Sequence, residues 1–217
     1  MKKFTAFAAA ILMCLTLVGC AGKAQRYTDY IQATLECSYY GNEGDYAKAI
    51  GISNDEALQL HRDEVDYVTE LICFRFAVEP SCISEENEEN YKRLAMDDLS
   101  KAKFRVDKAV KSGDNYHVTI HCEPMDFWEI AYEDVEKFYV DEFGIKYEAA
   151  VTQQERDALE EEYAVRVLEI LTPYVDKIGY GESVKKIVEI TVDKDGKEGI
   201  TDEEWLEIDD LILGKQS

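Results

Sequence analysis

The apolar positions of this chain follow two periods in turn. From Tyr27 to Tyr40, aromatic and aliphatic residues recur three and four apart, which places them on one face of a helix. Gly41 and Gly44 break that pattern, and a short turn over Asp45–Ala49 stops at Gly51. Ser53 and Glu56 form a capping box, each able to satisfy the other's orphan backbone donor. A long helix follows through Val65, Val68, Leu71, Ile72 and Phe74, until the Glu79–Pro80 step disfavours helical geometry. Ser84 opens another, with Tyr91, Leu94, Ala95 and Leu99 inward and Glu85, Glu86, Glu88 and Glu89 favoured by the helix dipole.

The period then switches to two. Phe104, Val106 and Val110 are expected on one strand face, with Arg105 and Asp107 opposite. Ser112–Asn115 is turn chemistry, and Tyr116, Val118, Ile120 and Cys122 alternate along the return strand to Pro124. Asp126 and Glu129 cap a helix whose stripe runs from Phe127 through Val135 and Phe138 to Glu142, with Gly144 closing it. Thr152 and Glu155 cap the next, through Leu159, Tyr163, Val167, Leu171, Tyr174 and Ile178; Pro173 should kink or split it, and Gly179 ends it. Val184–Val192 starts a second hairpin, turning at Asp193–Lys197, before Thr201 and Glu204 cap a last helix with Trp205, Ile208 and Ile212. A lone hairpin is marginal in water, so the two should merge into one antiparallel sheet with helices packed on one face. The expected fold class is α+β. The stretches 26–144 and 145–217 echo each other in element order, which suggests two similar halves.

The amino terminus changes the picture most. Lys2 and Lys3 precede the apolar run Phe4–Gly19, which suits a signal peptide and is short for a membrane span. The run ends in Leu17-Val18-Gly19-Cys20, which resembles the lipobox of bacterial lipoproteins. That resemblance implies cleavage before Cys20 and a diacylglyceryl group on its thiol. Expected boundaries are a signal peptide over 1–19, the lipidated cysteine and a short tether over 20–25, and a globular domain over 26–217. Two acyl chains make a stable anchor where one is marginal. The expected location is the extracytoplasmic face of the cell membrane.

Charge removes whole classes of partner. The chain carries −22, and losing Lys2 and Lys3 with the leader makes −24. Such a field repels phosphate backbones, which argues against nucleic acid, and it opposes electrostatic contact with anionic lipid headgroups. Cys37, Cys73, Cys82 and Cys122 remain after Cys14 and Cys20 are set aside, and an exported domain permits disulfides. Cys73–Cys82 and Cys37–Cys122 are the expected pairs. Without a Cys-x-x-Cys, neither a zinc knuckle nor a thioredoxin-like site is offered.

The Gly44-Asp45-Tyr46 turn, the hairpin KFRVDKAVKSGDNYHVTIHCEPMDFW and the closing DKDGKEGITDEEWLEIDDLILG together carry a resemblance. Over most of its mature length the chain resembles a family of lipoproteins from Gram-positive anaerobes that has no assigned activity. The resemblance implies a helix-plus-curved-sheet domain of the nuclear transport factor or cystatin kind. It supplies no functional residue, and the four mature cysteines fall outside its pattern.

Asp193-Lys194-Asp195 with Glu204 has the outline of a calcium loop. Lys197 stands where an oxygen ligand is needed, however, and Glu198 where the turn needs glycine. Ser183-Val184-Lys185-Lys186 matches the Ser-x-x-Lys of penicillin-recognising enzymes, but Lys111-Ser112-Gly113 lies on the wrong side of it and the middle motif is missing. His117 and His121 are four apart on one strand, too distant to chelate one metal, and His61 sits among charged helix neighbours. Acidic pairs such as Asp97–Asp98, Asp126–Glu129 and Asp209–Asp210 are too many to single out a glycosidase site. No cofactor is implied. The reading is a tethered binding or accessory module for an unidentified small ligand or protein, its pocket on the sheet face opposite the helices, at Arg105, His117, Thr119 and His121. An extracytoplasmic hydrolase using acidic residues and a calcium-responsive surface protein are the alternatives.

Overall fold

The structure is a computed structural model that describes residues 20–192 and 198–215. Residues 1–19, where a signal peptide is expected, and the turn residues 193–197, with Asp193 and Asp195, lie outside the described residues. Among the described residues eight α-helices and five strands follow in order: α1 Cys20–Tyr40, α2 Glu43–Ile50, α3 Asn54–Arg75, α4 Glu85–Leu99, β1 Phe104–Val106, β2 Val110–Ser112, β3 Asn115–Cys122, α5 Phe127–Phe138, α6 Gly144–Ala149, α7 Gln153–Leu171, β4 Val184–Val192, β5 Glu198–Gly199 and α8 Asp202–Ile212. The fold is α+β, with an antiparallel sheet. Two compact units share the chain. The sheet unit comprises the described parts of Met1–His61, Lys103–Pro124 and Glu182–Ser217; the helical unit comprises Arg62–Ala102 and Met125–Gly181.

In the sheet unit the two hairpins join through their long strands. β3 pairs with β4 from Tyr116↔Ile190 to Cys122↔Val184, β1 and β2 line the other edge of β3, and β5 pairs with β4. Tyr116, Val118 and Ile120 of β3 and Val188 and Ile190 of β4 are buried and face inward, against α1 and α8. From α1 come Tyr27, Ile31, Leu35 and Tyr39, and from α8 Ile208 and Ile212. The Tyr27 and Tyr116 rings lie 4.8 Å apart. The buried Asp209 accepts a hydrogen bond of 2.6 Å from the Tyr39 hydroxyl.

Two expectations change here. Residues 20–25 are the first turns of α1 and form no extended tether. Ala24 is already buried there, and Lys23 and Arg26 meet Glu198 at 3.6 and 2.5 Å, so side-chain contacts hold this stretch helical. The first strand is also split. Val106 opposes Ile120, yet Val110 opposes His117, so one extra residue enters between them. This is a bulge, and a one-residue slip sends side chains to the other face. Val110 therefore leaves the inner face and stands exposed. Within the bulge the Ala109 amide donates to the Thr28 hydroxyl at 2.8 Å, so this donor is not orphaned by the break.

The helical unit is built on buried tyrosines whose hydroxyls all reach acceptors. Tyr163 donates to Phe76 O at 2.8 Å and Tyr91 to Ala164 O at 2.7 Å. Pro173 ends α7 as expected, at Leu171, and a 3₁₀ turn Thr172–Lys177 follows. Asp126 clips onto Gly179: its carboxylate accepts from the Gly179 amide at 2.7 Å, and its own amide donates to Gly179 O at 3.2 Å. The expected stop at Gly144 does not occur. The chain winds through a π-turn, Tyr139–Phe143, into α6, with the Gly144 amide donating to Tyr139 O. A Cβ at position 144 would stand 3.1 Å from that oxygen, so glycine here admits the wider turn.

Three of the caps read from sequence form as capping boxes, at Ser53–Glu56, Thr152–Glu155 and Thr201–Glu204, whereas Asp126 makes no side-chain cap to the helix it precedes because Gly179 holds its carboxylate. The cysteines do not pair: Cys37, Cys73, Cys82 and Cys122 are free thiols, so neither Cys73–Cys82 nor Cys37–Cys122 is bridged in this structure. The Cys37 thiol instead donates to Ala57 O at 3.3 Å, and burial pushes it up to about 11, which leaves it inert at neutral pH.

Candidate binding face

Alternation along β3 sends Asn115, His117, Thr119 and His121 to the face away from α1 and α8. Register then decides their neighbours. Arg105, His121 and Lys185 share one cross-strand row. Thr119 and Ile187 share the next, where the Asp107 amide donates to Thr119 O at 2.8 Å. Val110, His117 and Glu189 make the third. All four residues expected to line the ligand surface therefore stand on one open sheet face. Directly opposed side chains are about 5 Å apart, so the first and third rows, of three residues, each span about 10 Å.

The face has polar and apolar parts. Asp107, at the start of the bulge, turns its carboxylate onto the first row. One oxygen contacts Arg105 and the other lies 2.7 Å from His121 Nε2. The hydrogen bond from His121, and then Arg105, hold the Asp107 carboxyl below the usual carboxylate range. His121 is the half-buried member of this cluster, and Arg105 is mostly exposed. Among the described residues no carboxylate pairs with Lys185. Ile187 and Val110 are 61% and 64% exposed, so apolar area lies open beside the charges. Glu189 is held at the far end by the Asn115 side-chain amide.

The other candidates are dispersed. Both Glu204 carboxylate oxygens are engaged: Oε2 accepts from the Thr201 amide and hydroxyl, and Oε1 from the Glu189 amide at 2.9 Å. Among the described residues no group of three or more His, Cys, Asp or Glu is placed to hold a metal ion. Lys186 of the Ser-x-x-Lys match is paired with Glu207 on α8. His61 Nδ1 lies 2.7 Å from Ser38 O, a structural contact. The acidic pairs split by environment: Asp97 is exposed while Asp98 is fully buried, and Asp210 is exposed while Asp209 is buried.

Two participants were invisible to sequence reasoning. Asp107 was assigned only to a strand's polar side, and Lys185 only to a motif. Pairing β3 with β4 in this register is what brings Lys185 beside His121. No local pattern could have signalled it, because the two lie 64 positions apart in the chain (185 minus 121).

No protein-family model matches the chain, and no curated protein matches it. Among solved structures, it is similar to a candidate lipoprotein, ycdA, of Bacillus subtilis. The identity is 13% and the TM-score 0.58, over 88% of this chain and 57% of that one. The chain thus spans little more than half the length of that neighbour, and the likeness is one of fold. No helix among the described residues is long and apolar enough to cross a membrane.

Proposed function

We propose that this protein is a lipid-anchored, extracytoplasmic binding or accessory module whose working surface is the open face of the sheet. The observation that carries the reading is the convergence of Arg105, His117, Thr119 and His121 on that face, beside exposed Ile187 and Val110. The lipobox resemblance at Leu17–Cys20 and the fold likeness to a candidate lipoprotein support the anchor. The reading of the domain as nuclear-transport-factor-like or cystatin-like rests on the sequence resemblance alone. A binding role fits better than hydrolysis. A hydrolase of the carboxylate kind needs two acids facing one substrate, and here Asp107 is committed to Arg105 and His121 while Glu189 is held by Asn115.

The test is complementation by the full-length lipoprotein in a strain lacking it. A variant with Arg105→Ala, His117→Ala, Thr119→Ala and His121→Ala should behave as the null strain. It should still melt within a few degrees of wild type and partition into the detergent phase, while Cys20→Ala should lose that partition. Full rescue by the fourfold variant would refute the reading.

A further inference from the structure

The open face separates charge from apolar area in a way that specifies a ligand class. Arg105, His121 and Lys185 form one row, on a chain whose net charge is −22. About half of the lysines and arginines among the described residues stand against carboxylates, as Lys23 and Arg26 do with Glu198, Lys103 with Glu123, and Lys186 with Glu207. The row is short of acids. It holds three basic side chains against the single carboxylate of Asp107, and Lys185 keeps no carboxylate partner among the described residues. One row away Ile187 is exposed beside Thr119, and a further row away Val110 is exposed beside His117. Row spacing along a strand is about 7 Å, two residues of rise. A ligand whose anionic end meets the first row can therefore lay about 14 Å of apolar body over Ile187 and Val110.

We infer that this face binds an amphipathic carboxylate, a molecule with one carboxylate group and an unbranched apolar body, with Arg105, His121 and Lys185 on the carboxylate and Ile187 and Val110 on the chain. The inference rests on the reading of the open sheet face as the working surface. Polarity follows from the other end of the face, where Glu189 beside His117 repels a carboxylate and so fixes the direction of the ligand. Asp107 acts as a positioning residue: it holds the Arg105 guanidinium and the His121 ring on the face. Because the site is shallow and water reaches Arg105 and Lys185, the charges are screened and binding should be weak, in the millimolar range.

The chain has three histidines, so ring proton resonances give a resolved readout on the intact mature domain. Octanoate, anchored by its carboxylate at the first row, should shift His121 and the Ile187 methyls saturably, with smaller shifts at His117 and the Val110 methyls beyond the end of its chain, and leave His61 in place. Acetate and octanol, which each supply half of the ligand, should bind at least about tenfold more weakly. Arg105→Gln with Lys185→Gln should weaken octanoate about tenfold while octanol stays unchanged. Octanol binding as tightly as octanoate would overturn the anionic assignment and leave the face as a binding surface. Octylammonium shifting the same residues more strongly than octanoate would do the same. If none of the probes moves the four residues, the inference falls. Failure of the fourfold variant to behave as a null strain is the separate result that removes the binding reading itself.

Discussion

Among the described residues each unit buries one aspartate, and the two are treated in opposite ways. Asp209 in the sheet unit is 1% exposed and accepts a 2.6 Å hydrogen bond from the Tyr39 hydroxyl. That bond gives the buried carboxylate a donor and offsets part of its desolvation. Asp98 in the helical unit is 0% exposed, and neither of its oxygens has a hydrogen-bond partner among the described residues. The helices packed on α4 present Tyr163, Ala164, Val167, Leu171 and Val175 as their buried residues, and burial alone acts on the Asp98 carboxyl. Its pKa is pushed up to about 7. The lesson is that burial by itself does not predict the state of a carboxyl; the donor it meets does. A buried acid with a donor can stay charged at neutral pH, whereas one without a donor makes its unit depend on pH.

The largest expected effect breaks that contrast at Asp98. The unfolded carboxyl titrates near 3.8 and the folded one near 7. Between those values the folded state holds a proton that the unfolded state has released, so stability falls as pH rises through this window and levels off above it. At about 1.4 kcal/mol per pH unit the loss approaches roughly 4 kcal/mol. Denaturant melts of wild type and Asp98→Asn at pH 4.5 and pH 8 check this. The wild type should lose several kcal/mol relative to the variant between the two values, and parallel curves would contradict the account.

Removing the donor from the other aspartate should have a smaller effect of opposite sense. Tyr39→Phe leaves Asp209 buried without that hydroxyl and should cost about 1–3 kcal/mol in a neutral-pH melt. Asp98→Asn should be neutral or stabilising at the same pH. Should Tyr39→Phe prove silent, the hydroxyl is not what supports the sheet unit's buried acid.

A finer version of the comparison lies at two helix ends. Gly41 in the sheet unit and Ala77 in the helical unit both adopt left-handed backbone, at φ of 68° and 53°. A left-handed turn costs a residue with a side chain roughly 1–2 kcal/mol. Gly41→Ala adds a Cβ 3.2 Å from the His61 ring to that strain and should destabilise by about 2 kcal/mol. Ala77→Gly relieves strain but raises the entropy of the unfolded chain, so a gain of only about 0.5 kcal/mol is expected. Thermal melts of the two variants should move in opposite directions.

Sequence reading fared differently on local and non-local features. Capping boxes at Ser53, Thr152 and Thr201 and the break at Pro173 involve residues a few positions apart, so spacing exposes them. The strand β3 alternates cleanly because one of its faces is buried and the other open. The bulge after Val106 was illegible, since Asp107–Ala109 carries no glycine and its amide is satisfied by Thr28 on another element. The π-turn before Gly144 was misread because glycine usually ends a helix, and here it admits a close backbone oxygen. Asp98 was hidden by abundance. With 46 acidic residues, no pattern marks the one that loses its solvent. On the face itself the four β3 and β1 residues were legible by alternation, while Asp107 and Lys185 needed the fold.

The two units also differ in what their exposed apolar residues accompany. Ile187 stands on a sheet face among Arg105, His121 and Lys185, whereas Phe74, 86% exposed on α3, has acidic Glu70 one turn before it. The central claim is that partner recognition belongs to the first setting. Photo-crosslinking from benzoylphenylalanine at position 187 and at position 74, in the full-length protein on living cells, measures it directly. The account predicts a discrete adduct from position 187 that the fourfold face variant abolishes, and none from position 74. An adduct from position 74 with none from position 187 would contradict it.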